Sequence, residues 1–194
     1  FGTGVVYNAA NTTWNDAIYD SGNGKIVVIY KDQGNSNYGT AIVGTVSGTS
    51  ISFGSATEFE AGATILTAAV YDPNIERVHI FYADGGDSDK GKAVIGSVSG
   101  TSISFTGQST FYSAAQVTDI GVSFNTTINK ITVATKDNGG ALNMFTTSAT
   151  TSAFTHGSAF AIDAGITTGT VNNVHVPTAS RSVIAYSDNS DSDK

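Results

Sequence analysis

Two loops of the chain carry aspartates at spacings that suit a hard cation. The six carboxylates are Asp84, Asp87 and Asp89 in one loop and Asp188, Asp191 and Asp193 in the other. Carboxylates two or three positions apart on a Gly-containing loop can turn several oxygens inward, as Ca²⁺ requires. The other interpretation is a solvated hairpin loop in which Asp, Asn, Ser and Gly serve turn geometry. The sequence requires no cofactor, and Ca²⁺ is the one candidate metal.

Aromatic residues near polar loops suggest a second kind of chemistry, which is sugar binding. Trp14 is the only tryptophan, and together with Tyr38 it is the best candidate for a platform beneath a sugar ring. Neighbouring Asn, Asp and Ser side chains would supply directional hydrogen bonds to hydroxyl groups. The alternative for Trp14 is core packing, because Leu66 occupies its place in the second sequence repeat described below.

Catalytic motifs are absent from the sequence. No G-x-S-x-G, H-E-x-x-H or Gly-rich phosphate loop is present, and His79, His156 and His175 stand at unrelated repeat positions. His79 falls on a strand expected to be buried on both faces, which favours a packing role. Asp16 and Asp119 are the only carboxylate pair worth testing for glycoside hydrolysis, which needs one acid and one base or nucleophile.

The elements that carry these residues repeat along the chain. The seven residues 47–53 recur identically at residues 99–105, which is 52 positions further on, and flanking residues align at the same offset. Identity of this length predicts a repeat architecture. The predicted copies, of which the third is more diverged and the last is incomplete, are residues 1–52, 53–104, 105–153 and 154–194.

Each copy has the pattern of four short strands. In the second copy these are a run that ends at residues 71–72, followed by residues 77–84, 91–98 and 101–111, with turn residues between them. The second run is nearly all apolar, so both of its faces should be buried. Four antiparallel strands in about fifty residues predict an all-β protein built as a β-propeller, with blades of about 52 residues. A β-solenoid and a β-sandwich are the alternatives.

Residues 34–54 carry a resemblance to a known class of repeat. With the preceding Tyr-Asp pair and Lys-Ile-Val-Val-Ile-Tyr run, they resemble the propeller-like repeats of marine bacteriophage tail-fibre and other virion surface proteins. The resemblance covers the first two copies well, the third loosely and the fourth in part. It implies a component of a virion or cell surface that attaches to a receptor, and it carries over no functional residues.

Composition narrows the classes of partner. Only 13% of residues are charged and the net charge is −7, so no basic patch is available for nucleic acid or for an anionic membrane. Cysteine is absent, which excludes disulfides and Cys-ligated metal sites. No apolar run approaches the ~20 residues of a membrane-spanning helix.

These observations favour a non-enzymatic module of an extracellular or virion surface, such as part of a tail fibre or adhesin. Its expected partners are a cell-surface glycan or receptor and other fibre subunits, and it could also serve as a spacer. A glycosidase on a propeller scaffold and an architectural subunit of an extracellular filament are the alternatives. Because the fourth copy stops early, we also expect the 194 residues to be a window on a longer repeat array.

Overall fold

The chain folds almost entirely into antiparallel strands, which confirms the all-β prediction. A computed structural model describes residues 2–164 and 167–188. Within those ranges there are two short 3₁₀ turns and no α-helix, and no helix there could span a membrane. The strands in these ranges are β1 Thr12–Asp20, β2 Lys25–Asp32, β3 Tyr38–Ser47, β4 Ser50–Phe53, β5 Thr57–Asp72, β6 Arg77–Asp84, β7 Lys90–Ser99, β8 Ser102–Tyr112, β9 Val117–Asn125, β10 Lys130–Asp137, β11 Leu142–Ala149, β12 Phe154–His156, β13 Phe160–Asp163, β14 Thr167–Val176 and β15 Arg181–Asp188.

The strands group into four units that follow the sequence repeat. Unit 1 contains β1, β2 and β3, with an outer edge made of β4 and residues 57–63 of β5. Unit 2 contains residues 64–72 of β5, then β6, β7 and β8. Unit 3 contains β9, β10 and β11, with β12 and β13 on its outer edge. In the described residues unit 4 has two strands, β14 and β15.

The units do not begin where the predicted copies begin, because strand β5 belongs to both unit 1 and unit 2. Its first half pairs with β3, from Ala41↔Thr57 to Tyr38↔Ala63. Its second half pairs with β6, starting at Thr64↔Asp84. One continuous strand therefore links two neighbouring sheets, and the hydrogen-bonded unit starts within a predicted copy.

A repeated turn explains the Tyr-Asp signature of the sequence. Asp20, Asp72 and Asn125 each end the first strand of a unit and accept a hydrogen bond from a backbone N–H two or three residues later. Such Asx turns reverse the chain locally. The residue just before each second strand has a positive φ of 51° to 64°, and these residues are Gly24, Glu76, Asn129 and Ser180.

The core lies between the units rather than within one of them. One apolar cluster packs Val27 and Ile29 of unit 1 against Ile80 and Val94 of unit 2. A second joins units 2 and 3, and a third joins units 3 and 4. Each sheet is therefore buried by its neighbours, which is why β6 is buried along nearly its whole length.

The first strands of the units lie next to one another. β1 contacts β5, β5 contacts β9, and β9 contacts β14. Together they line a cavity of about 400 Å³, through residues 15–18, 67–69, 120–122 and 171–173. All four units therefore present their first strand to one shared space.

Candidate functional site: an exposed tryptophan at the end of unit 1

Trp14 lies in a β-bulge of β1. The bulge separates the Thr13↔Lys31 pair from the Asp16↔Ile29 pair, and the φ of Trp14 is 55°. The backbone carbonyl of Trp14 accepts a hydrogen bond from the Thr67 hydroxyl of unit 2. The main chain is therefore held at this position while the residue remains 49% exposed.

Leu66 occupies the same bulge in unit 2. Its φ is 57°, and the register of β5 against β6 shifts at this residue. Left-handed backbone at a bulky residue costs of the order of 1–3 kcal/mol, which the surrounding structure must offset. Leu66 is only 6% exposed and packs in the core between units 2 and 3. The bulge thus belongs to the repeat, whereas the exposed aromatic ring belongs to unit 1, and core packing of Trp14 is not what the structure shows.

A cavity of about 440 Å³ adjoins the indole of Trp14. Thr13, Lys31 and Gln33 line it together with Trp14. The Gln33 side-chain carbonyl accepts a hydrogen bond from the Asn11 amide. An aromatic face beside an ammonium and an amide can stack on a sugar ring and bond to its hydroxyls. Sequence reasoning missed Lys31 and Gln33, although they follow the apolar run of β2 and lie across from β1.

Tyr38 lies at the same end of unit 1 as Trp14 but does not line its cavity. It is half-buried at the start of β3 and pairs with Asp32 of β2 and with Ala63 of β5. β1 and β3 flank β2, so two strand spacings, about 10 Å, separate them. The structure therefore brings the two predicted aromatic residues to one end of a sheet as neighbours, without forming a single ring platform.

Two lysines form ion pairs with the aspartates of the acidic loop of unit 2. Asp87 Oδ1 lies 2.8 Å from Lys90 Nζ, and Asp87 Oδ2 lies 2.9 Å from Lys92 Nζ. Lys92 Nζ is also 3.8 Å from Asp84 Oδ2. Hydrogen bonds from Lys90 and Lys92 lower the pKa of Asp87 below its usual value. Two ammonium groups thus sit where a cation would compete for the same oxygens.

The remaining aspartates of this loop serve local geometry. Asp84 Oδ1 accepts a hydrogen bond of 2.9 Å from the Gly86 N–H and caps the 3₁₀ turn Gly85–Asp87. Asp32 and Asp137 make the same contact in units 1 and 3. Asp89 has a φ of 55° and accepts from the Gln116 amide at 3.4 Å.

No calcium cage is assembled in the part of the chain that the structure describes. Within residues 2–164 and 167–188, no three His, Cys, Asp or Glu side chains come together as a metal group. Asp188 ends β15, whereas Asp191 and Asp193 lie outside the described residues. Calcium binding at either loop stays a prediction.

Asp16 and Asp119 tie adjacent units together through their carboxylates. Asp16 accepts from the N–H of Ala17 at 2.7 Å and from that of Ala69, in unit 2, at 2.9 Å. Asp119 accepts from Ile120 at 2.8 Å and from Val171, in unit 4, at 2.7 Å. Burial raises the pKa of Asp119, although these two backbone hydrogen bonds oppose the shift. Both oxygens of each carboxylate are thus engaged by backbone, which suits a structural clasp better than an acid and nucleophile pair.

Two histidines lie between units. His79 is fully buried in β6 and packs edge-on against Phe154 of unit 3, with ring centroids 5.3 Å apart, as a packing role requires. His156 Nε2 lies 2.8 Å from Ser109 Oγ, and its Nδ1 lies 3.0 Å from Thr147 Oγ1. Phe111 and Phe154 lie against the His156 ring. The second ring nitrogen of His156 thus contacts a threonine hydroxyl, whereas a catalytic Ser–His pair would have a carboxylate there. The Ser109–His156 contact also joins units 2 and 3.

Comparison with known proteins identifies no relative. No family model matches the chain, and no curated protein matches it.

Proposed function

We propose that this chain is a non-enzymatic module of an extracellular or virion surface, built as a β-propeller, that binds a glycan receptor at Trp14. The observation that carries the proposal is the exposed indole of Trp14. The same backbone bulge in unit 2 carries a buried side chain, that of Leu66. An exposed aromatic ring beside polar groups can stack on a sugar ring while those groups hydrogen-bond to its hydroxyls.

The propeller arrangement draws its support from the way the units meet. Successive four-stranded units pack face to face, and their first strands share one central cavity. In a propeller, blades stand in this manner around a common channel. Carboxylate clasps from Asp16 and Asp119 fix the first strands of neighbouring units to each other.

Surface chemistry favours an uncharged, hydroxyl-rich ligand. The chain has 13% charged residues and a net charge of −7, which disfavours polyanions such as nucleic acid. At the cavity beside Trp14, the Lys31 ammonium and the Gln33 amide can hydrogen-bond to hydroxyls.

The single tryptophan makes the proposal directly testable. A glycan array identifies ligands, and a titration of each hit follows the emission of Trp14, the only tryptophan of the chain. We expect saturable binding with a shift in emission. Calorimetric titration, which needs no tryptophan, should show a loss of at least tenfold in affinity in Trp14→Ala, which corresponds to about 1.4 kcal/mol.

A matched control is Tyr19→Ala. Tyr19 is 59% exposed on the same strand but near its other end, so its loss should leave affinity unchanged. An array without hits, or equal losses in the two variants, contradicts glycan binding at Trp14.

A further inference from the structure

One charged side chain lines the cavity beside Trp14, and it belongs to Lys31. Lys31 lies near the end of β2 and pairs with Thr13 of β1, next to the bulge that carries Trp14. The other lining residues, Thr13, Trp14 and Gln33, are uncharged. Asp32 lies between Lys31 and Gln33 in the sequence, and neighbouring residues of a strand point to opposite faces of a sheet. The cavity therefore contains an ammonium without the neighbouring carboxylate.

The carboxylates of β1 and β2 on either side of this position are engaged by other groups. Asp32 Oδ2 accepts a hydrogen bond of 2.8 Å from the Asn8 amide, and its Oδ1 accepts one of 2.9 Å from the Gly34 N–H. Asp16 is held by backbone N–H groups of units 1 and 2. Within the part of the chain that the structure describes, no ion pair involves Lys31. Its ammonium is thus free to bind an anion from outside the protein.

The equivalent positions of the next two units do not offer this group. Ala83 takes the place of Lys31 in unit 2 and packs with Leu66 in the core shared with unit 3. Lys136 takes the place in unit 3, and its ammonium donates a hydrogen bond of 2.7 Å to the backbone carbonyl of Gly169 in unit 4. Among units 1 to 3, therefore, only unit 1 holds at this position an ammonium without an acceptor in the described residues, and it lies beside an exposed aromatic ring.

From this arrangement we propose that the cavity selects sugars that carry a carboxylate, and that hexuronic acid residues are its preferred ligands. The inference rests on glycan binding at Trp14 as proposed above. The pyranose ring stacks on the indole, and the carboxylate at C6 binds the ammonium of Lys31. The Gln33 amide remains available to the ring hydroxyls. A charge-assisted hydrogen bond then distinguishes the acid from the neutral hexose, which differs from it only at C6.

The net charge of −7 is a long-range effect that a single carboxylate largely escapes. Repulsion disfavours densely charged polymers, but at physiological ionic strength charges act over a screening length of about 8 Å. Within the cavity the lining supplies one positive charge and no negative one. A glycan in which occasional acidic residues separate neutral sugars therefore remains hydroxyl-rich, as the whole surface favours, while its acidic residue is bound at Lys31.

The test compares sugars that differ at C6 alone. The emission of Trp14 is titrated with methyl β-glucuronide and methyl β-glucoside, and likewise with the corresponding galacturonide and galactoside. We expect at least one hexuronide to bind about fivefold more tightly than its neutral partner, or about 1 kcal/mol, which is in the range measured for ion pairs open to solvent. The preference should shrink when NaCl is raised from about 0.05 to about 0.5 M, because salt screens the pair, whereas the affinity for the neutral sugar should not change.

Three variants that retain Trp14 assign the preference to one side chain. Lys31→Met should bring the affinities for the acidic and the neutral sugar together, whereas Lys31→Arg should keep them apart. Lys25→Met is the matched control, because it removes the same charge from the other end of β2, about 20 Å away, and should leave the preference unchanged. Each variant is first checked for an unchanged far-ultraviolet spectrum.

The outcomes separate this inference from the proposed function. Equal affinities for each hexuronide and its neutral partner, or a preference that persists in Lys31→Met, would overturn the selection of carboxylates and leave glycan binding at Trp14 in place. Glycan-array hits confined to neutral glycans would likewise overturn it. Failure of all four sugars together with an empty glycan array would contradict binding at Trp14 itself, and this inference with it.

Discussion

At the residue scale, one backbone feature serves two side chains differently. Trp14 and Leu66 share a left-handed bulge, yet Leu66 is buried and Trp14 is open. A hydrogen bond from the Thr67 hydroxyl of unit 2 to the Trp14 carbonyl fixes the backbone of the bulge in unit 1. The same bulge therefore carries a core side chain in unit 2 and a solvent-exposed side chain in unit 1.

His79 is a residue whose chemistry is set by burial. Both ring nitrogens are buried without a hydrogen-bond partner, and Asp72 Oδ2 is 4.0 Å away. Burial, with a smaller contribution from Arg77, lowers the pKa of His79 from 6.5 to about 4. The folded chain thus holds the neutral ring, whereas the unfolded chain binds a proton below pH 6.5.

This difference predicts how stability depends on pH. The lowered pKa means that the free energy of unfolding falls as the pH decreases from about 6.5 towards 4, by of the order of 2 kcal/mol at pH 4.5. His79→Val removes the proton site and places there the valine that unit 1 has at Val27. We expect urea unfolding at pH 7 and pH 4.5 to show a smaller loss in this variant than in the unmodified chain.

His175→Val is the control for that experiment. The His175 ring bonds to Thr126 at the surface, so its removal should leave the acid-dependent loss in place. An unchanged loss in His79→Val would contradict the assignment.

At the element scale, the loops that follow the second strands of units 1, 2 and 3 share one turn. The leading aspartate of units 1, 2 and 3 accepts from a glycine N–H two residues later. Among these three described loops, only that of unit 2 adds lysines, and these pair with Asp87. A calcium ion in this loop would have to displace Lys92 from both Asp84 and Asp87.

Lys92→Ala should therefore increase the response of the protein to calcium. Removal of the ammonium that lies 2.9 Å from Asp87 leaves Asp87 Oδ2 and Asp84 Oδ2 available to a cation, while Lys90 still pairs with Asp87 Oδ1. At a Ca²⁺ concentration ten times the dissociation constant, binding adds about 1.4 kcal/mol, or about 4 °C in melting temperature. Thermal melts in CaCl₂, MgCl₂ and EDTA measure this shift, which we expect to be larger than in the unmodified chain.

Lys25→Ala provides the comparison, because Lys25 donates a hydrogen bond to Thr45 in unit 1, away from the acidic loop of unit 2. Equal calcium shifts in both lysine variants would show that the loop of unit 2 is not the site.

At the scale of the whole molecule, stability should decline towards unit 4. Units 2 and 3 are packed between neighbours, and β6 is buried almost throughout. Among the described residues, unit 4 shares a smaller cluster with unit 3, consisting of Ala134, Leu142, Val171 and Ile184. Local opening is easiest where few apolar contacts must break.

Native-state hydrogen exchange checks this gradient. We expect amides of β15 to exchange at least a hundredfold faster than those of β6, a difference of about 2.7 kcal/mol in opening free energy. Equal protection of the two strands would show that the molecule opens only as one cooperative body.

Much of the fold could be predicted from sequence because its determinants are local. Short apolar runs, Asx turns such as that of Asp20, and an identical seven-residue segment all act within a few positions or repeat along the chain. The shared strand β5 could not be predicted in the same way. It depends on hydrogen bonds that two different sheets make to its two halves.

By itself the sequence determined the strands, their turns and their repetition, since these depend on residues close together in the chain. Tertiary structure alone decided that Trp14 is open and Leu66 closed, that Lys90 and Lys92 occupy the acidic loop, and that the Asp16 carboxylate clasps unit 2. The physical reason is packing between units. Leu66 packs against residues of unit 3, and the partner of Asp16, Ala69, is 53 residues away, so no local pattern records these contacts, whereas the two lysines reach Asp87 from three and five positions along the same hairpin.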